Sequence, residues 1–300
     1  MTYPRPMHGQ ATGAEQGEAV LEEAVTASRE ALGARLLAAY ALGSLAHGGF
    51  SPLVSDVDLG LVLADPLTAT DDETIQSVAD TIKARGSALR ERLSVFWGTP
   101  STLQGRLPGG RFPALDRLDL LENGRLLEGQ DAREGFVRPS HTELLVEGAE
   151  FALDYLGGGR GSVGPPSPGL GSMRPADNTI LEEIRTPALL VSRGPRRLTK
   201  LVLFPVRFLF TAATGQVGTN ALAVEHYLAD AQAPAAELVA AALQWRLAPP
   251  EDIDAAATVL GRELIPLYLH YIDDHTTRLM AVGRADLARS FEQWRDRLLA

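Results

Sequence analysis

The sequence predicts an α/β domain on a mixed sheet, residues 17–138, followed by an all-helical domain, residues 139–300. Three observations carry this reading. Short apolar runs of strand character alternate with helical patterns through the first half of the chain. Past "RPS" at 138–140 the strand character stops and helical periodicity takes over. A chain of 300 residues, 45% hydrophobic and 22% charged, is long enough to bury two ordinary cores.

The elements follow in order. Residues 1–16 are rich in Gly, Pro and polar side chains and are expected to be disordered. "GEAVLEEAVTASREALGARLLAAY" has helical periodicity, and "AAYALGS" reads as a short strand ending at Gly43. "DVDLGLVLA" reads as a second strand, alternating and then continuously apolar. "DDETIQSVADTIKARGSALRERL", with acids in its first turn, reads as one helix, and "LSVFWGTP" as a third strand stopped by Gly98 and Pro100. The leucines of "LDRLDLLENGRLLEGQD" suit a helix ending near Gly124 and a short return segment. "HTELLVEGAEFALDYL" opens the helical domain, and a Gly/Pro-rich loop at 157–175 interrupts it. Beyond it, "TKLVLFPVRFLFTAATG", "ALAVEHYLADA", "AAELVAAALQWRLA" and "DIDAAATVLGRELIPLYLHYIDDHTTRLMA" are helical, with Pro205 expected to end or kink the first.

Composition narrows the function. A net charge of -10 lacks the basic excess that neutralises the phosphates of a long nucleic acid. The absence of cysteine removes disulfides, thiolate metal sites and a cysteine nucleophile, so any metal is held by oxygen or imidazole. The N-terminus lacks the charged start and apolar core of a secretory signal, and no apolar run reaches the roughly 18 residues of a membrane span. A cytoplasmic protein with no membrane partner is the expectation.

Chemistry concentrates in "LGSLAHGGFSPLVSDVDLGLVL". Asp56 and Asp58, two apart on a strand, project to one face, where a divalent cation offsets their repulsion; oxygen ligands beside a triphosphate favour magnesium. Gly43 and Ser44 suit a turn that approaches a phosphate closely, with the Ser44 hydroxyl and nearby N–H groups as donors. Each half alone is an ordinary turn or a solvated strand end; together, at this spacing, they point to a nucleotide and metal site. His47 in the intervening loop reads as solvated, and His270, Asp273, Asp274 and His275 as a polar helix end. Phe96, Trp97, Trp245 and Trp294 read as core or interdomain packing.

The hydrophobic-Gly-Ser turn before an Asp-hydrophobic-Asp strand resembles the signature of the polymerase-beta-like nucleotidyltransferase superfamily. "HTELLVEGAEFALDYL" and "TKLVLFPVRFLFTAATGQVGTNALAVEHYL" are similar in pattern to the helical domain of streptomycin/spectinomycin-type aminoglycoside adenylyltransferases. The resemblance implies transfer of a nucleoside monophosphate, from ATP or another NTP with Mg2+, to a small-molecule hydroxyl in the interdomain cleft, with release of pyrophosphate. It implies Asp56 and Asp58 as magnesium ligands, Ser44 and Ser55 at the triphosphate, and Arg207 reaching phosphate from the helical domain.

Three departures qualify the resemblance. Where the family keeps a carboxylate on the third strand stand Leu93 and Ser94; Glu91 is the nearest acid and the first candidate for the base, with Asp116 and Asp119 as alternatives. The acids that match a cationic drug are replaced by Arg193, Arg196, Arg197 and Lys200, which disfavours a typical aminoglycoside acceptor. The family's lysine after the Thr-Gly turn falls at Asn220, so Lys200 or an arginine of the basic run is the expected substitute at the phosphates. A nucleotide-binding sensor or regulatory protein with weak or lost catalysis is the alternative to an enzyme.

Overall fold

The computed structural model describes residues 13–157 and 179–300. Helix α1 (Gly13–Leu32) leads through a short 3-10 turn into strand β1 (Leu36–Leu42), the five-residue helix α2 (Gly43–His47) and strand β2 (Val57–Leu63). Helices α3 (Ala69–Ala84) and α4 (Ala88–Glu91) precede strand β3 (Leu93–Gly98), and helices α5 (Pro100–Leu103) and α6 (Ala114–Glu122) precede strand β4 (Arg125–Gly129). Every described element after that is a helix: α7 (His141–Tyr155), α8 (Thr179–Arg185), α9 (Pro187–Ser192), α10 (Pro195–Thr214), α11 (Asn220–Leu228), α12 (Ala236–Trp245), α13 (Ile253–Ala281) and α14 (Ala285–Leu299).

The sheet is mixed, in the order β3-β2-β1-β4, with β2 and β3 parallel and the other pairs antiparallel. Its two faces follow the strand period of two. Ala39, Ala41, Leu59, Leu61, Val95 and Trp97 pack with α1 and α3 on one side. Ala38, Tyr40, Leu42, Val62 and Phe96 pack with Leu103 and Leu120 on the other. A separate, larger core fills the helical segment, with Tyr268, Tyr271, Phe291 and Trp294 completely buried. Ala114 and Leu118 of α6 meet Leu144 of α7 and Val217, joining the two segments.

Several elements differ from the sequence reading. Residues 13–16 begin α1 rather than lying in a disordered terminus, while the remainder of 1–16 and nearly all of the 157–175 loop lie outside the described residues. The single helix expected over 71–93 is two, because Gly86 takes a left-handed φ of 64° and Ser87 caps the second piece by accepting from the Arg90 N–H. Asp56 lies just before β2 rather than in it. Pro205 neither ends nor starts a helix: α10 runs through it. A proline removes the N–H that would bond the carbonyl four residues earlier, and the buried Tyr268 hydroxyl from α13 donates to that carbonyl, on Leu201, at 2.8 Å. No described helix is long and apolar enough to cross a membrane.

Candidate active site

A cleft of about 110 Å3 opens between the end of the sheet and the helical segment. Gly43, Ser44, Ser55, Asp56, Asp58, Lys200 and Arg207 all line it, whereas the alternative bases Asp116 and Asp119 are not among its lining residues. Glu91 also ends α4 with its side chain exposed, outside the lining of the cleft.

The turn after β1 is shaped around a carboxylate. Gly43 has φ of 60°, and a Cβ there would lie 2.4 Å from Asp58 Oδ2, so a glycine is required both by conformation and by contact. Its N–H is already engaged, donating to Asp119 Oδ2 at 2.6 Å. The close approach that the glycine permits is therefore to Asp58 and Asp119, not a free amide offered to a phosphate. Ser55 is buried, and its Oγ accepts from the Ser51 N–H at 3.0 Å. His47 also lines the cleft, where burial pushes its pKa down against the pull of Asp119.

The two signature aspartates sit in opposite electrostatic settings. Lys200 Nζ donates to Asp56 Oδ2 at 2.6 Å and Arg196 Nη2 to Asp56 Oδ1 at 2.5 Å. Burial raises the Asp56 carboxyl, but these two cations outweigh it and hold the group below the usual carboxylate range. For Asp58 the balance is reversed: burial first, then the charges of Asp56 and Asp116, push it well above that range against a weaker pull from Lys200.

The third-strand position paired with Asp58 is Ser94, as the sequence implied, so β3 supplies no carboxylate there. The acids come from α6 instead. Asp116 and Asp119, three apart on one helical face, both act electrostatically on Asp58. Asp119 is tied down by the Gly43 N–H and by Asn123 Nδ2 at 2.9 Å. Asp116 is pushed up to about 7 by burial and by Asp119, with Arg111 and Arg207 opposing.

The basic run splits into two jobs. Arg193 and Arg197 turn to Glu183, which is only 3% exposed, at 3.1 and 2.7 Å. Lys200 lines the cleft, and it and Arg196 close on Asp56. Arg207 faces Asp119, Asp58, Asp116 and Asp56, while its Nε donates to the Gly218 carbonyl at 2.8 Å. Arg246, just past α12, is a lining residue that the sequence reading did not single out. Nothing in "LQWRLAPP" marks it, and only the fold brings it beside Ser55.

Among the described residues no group of three or more His, Asp or Glu side chains is arranged as a preformed metal cage. The donor chemistry nevertheless fits a hard divalent ion. Asp56 and Asp58 line one cleft, and the mutual repulsion that raises Asp58 is what a bound dication relieves. Such an ion would have to displace Lys200 and Arg196 from Asp56.

Sheet order, site placement and helical segment together define a nucleotidyltransferase-like fold. The chain is similar to the spectinomycin adenyltransferase AAD(9) from Enterococcus faecialis, whose crystal structure contains ATP and spectinomycin. The TM-score is 0.50 at 14% identity, covering 82% of this chain and 98% of that one, a likeness of fold alone. No protein-family profile matches the chain, and no curated protein matches it.

Proposed function

We propose that the protein is a magnesium-dependent nucleotidyltransferase, moving a nucleoside monophosphate, in the first instance AMP from ATP, to a hydroxyl of a small acceptor. The carrying observation is the convergence of Asp56, Asp58, Ser44 and Ser55 from the sheet side with Lys200 and Arg207 from the helical side on one cleft. The acceptor oxygen forms the bond to the α-phosphorus, the bond to the bridging oxygen breaks, and pyrophosphate leaves. Asp56 and Asp58 are assigned to the metal, which when bound stabilises charge on the transferring phosphoryl group. Asp116, whose charge acts on Asp58 from α6, is assigned the acceptor's proton in place of Glu91. Arg207 and Lys200 orient the triphosphate.

A two-domain division at 17–138 and 139–300 and a cytoplasmic location belong to this reading. So does an acceptor that is not a typical cationic aminoglycoside: Lys200 lines the cleft, Arg196 pairs with Asp56, and Glu183 is occupied by Arg193 and Arg197.

One observation favours a second reading, a nucleotide-binding sensor with weak or lost catalysis: both oxygens of Asp56 are already taken by cations. The experiment is pyrophosphate release from each labelled NTP with magnesium, across a panel of antibiotics and hydroxylated metabolites, for the wild type, Asp56→Asn and Asp58→Asn. Release that both substitutions abolish supports the enzyme. Tight nucleotide binding with no release for any acceptor supports the sensor, and no nucleotide binding at all overturns both.

A further inference from the structure

The cations of the cleft fall into two classes. Lys200 and Arg196 are neutralised by Asp56. Arg207 and Arg246 form no ion pair with a carboxylate among the described residues, and their hydrogen bonds go to neutral oxygens. Arg207 has the Gly218 carbonyl, and Arg246 has the Gly49 carbonyl at 2.9 Å with Ser55 Oγ at 3.5 Å.

Arg207 at least faces the aspartates. Arg246 does not: burial lowers its pKa to about 10, and the only charge acting on it besides is that of Arg207. Two guanidiniums that repel each other in a partly buried cleft are an unfavourable arrangement. An anion between them reverses the sign of that term, and guanidinium forks match phosphate oxygens in geometry. The wall around them is polar in the same sense, since Ser44, Ser55, Thr219 and Asn220 line the same cleft.

We propose that Arg246, together with Arg207, forms a polyphosphate subsite already assembled in the metal-free protein, which takes the terminal phosphates of a nucleoside triphosphate. The proposal rests on the nucleotidyltransferase reading for its ligand, but on Arg246 for its substance. It makes Arg246 a phosphate-side cation, alongside Lys200, in place of the lysine missing at Asn220. Because Asp56 holds Lys200 and Arg196 until a metal arrives, this pair of arginines is the part of the site able to receive an anion without one.

The test is calorimetric titration in EDTA with inorganic tripolyphosphate, ATP and AMP, on the full chain as wild type, Arg246→Gln and Arg246→Lys. Loss of a charged hydrogen bond predicts roughly 10–100-fold weaker tripolyphosphate and ATP binding for Arg246→Gln. Arg246→Lys should fall between, and AMP should change by less than about threefold. Since Arg246 also holds the Gly49 carbonyl, thermal unfolding of each variant is followed, and the Lys variant decides if the Gln variant does not fold.

Tripolyphosphate binding by the wild type that both variants retain in full overturns the proposal and leaves the nucleotidyltransferase reading standing. An equal loss of AMP and tripolyphosphate also overturns it, because it marks a collapsed loop rather than a lost phosphate contact. Arg246-dependent tripolyphosphate binding with no affinity for any nucleotide supports the subsite and overturns the nucleotidyltransferase reading. A wild type that binds none of the three ligands in EDTA overturns the subsite.

Discussion

Asp116→Asn tests the electrostatics of the cleft, because it removes a carboxylate that folding buries among others. In the unfolded chain this group ionises near 3.8, whereas in the folded protein burial and Asp119 push it up to about 7. The folded state therefore holds the proton more tightly. Below about pH 3 both states are protonated and the residue contributes nothing to the balance. As pH rises toward 7 the unfolded state alone ionises, and stability falls by about 1.4 kcal/mol per unit, then levels off above the folded pKa. The ceiling is about 4 kcal/mol, and sharing of the repulsion with Asp58 and Asp119 reduces it to roughly 1–4. At about 2 °C per kcal/mol for a chain of this size, Asp116→Asn should unfold about 2–8 °C higher than wild type at pH 8. Near pH 4.5 the difference should shrink to about a quarter of its value at pH 8. The assay is thermal unfolding in EDTA at both values. A variant less stable than wild type at pH 8, or a difference independent of pH, would refute the reasoning.

Three further outcomes follow from individual contacts. Glu183→Gln leaves Arg197 and Arg193 without their buried counter-charge and should cost about 2–4 kcal/mol in urea unfolding; an unchanged midpoint would mean the pairs are solvent-compensated. Tyr268→Phe strips the donor from the Leu201 carbonyl and should cost about 1–2 kcal/mol, whereas adding Pro205→Ala supplies a backbone N–H and should return part of it; additive losses in the double-mutant cycle would count against the substitution of one donor for the other. Gly43→Ala places a methyl on Asp58 Oδ2 in a left-handed backbone position and should destabilise by about 1–3 kcal/mol while lowering nucleotide turnover, measured by unfolding and pyrophosphate release; wild-type values for both would dismiss the steric role.

What the chain reveals before folding is its local grammar. The strand period around 57–63, the Gly43 turn and the Asp56/Asp58 pair were legible because neighbours in sequence share one face or one turn. Boundaries set by a single glycine, as at Gly86, were less so, and Pro205 misled because its missing donor is replaced from a helix more than sixty residues away. The same reason hides half of the candidate site. Asp116 and Asp119 appear in the sequence as ordinary acids of an amphipathic helix, and only the crossing of α6 behind β1 puts them against Asp58. Arg246 sits in an unremarkable helix end, and its position beside Ser55 depends on the packing of the helical segment against the 49–55 loop.

The clasp of Lys200 and Arg196 on Asp56 has a thermodynamic corollary. A free divalent ion would have to evict an ammonium and a guanidinium and strand them, the former largely buried, so its solitary affinity would be depressed. An incoming ion that brings its own polyphosphate leaves nothing stranded, because the evicted cations find new oxygens at once. On the proposed nucleotidyltransferase reading, metal and nucleotide would each improve the other's binding by the same factor, and the cleft would favour the chelate over the lone ion.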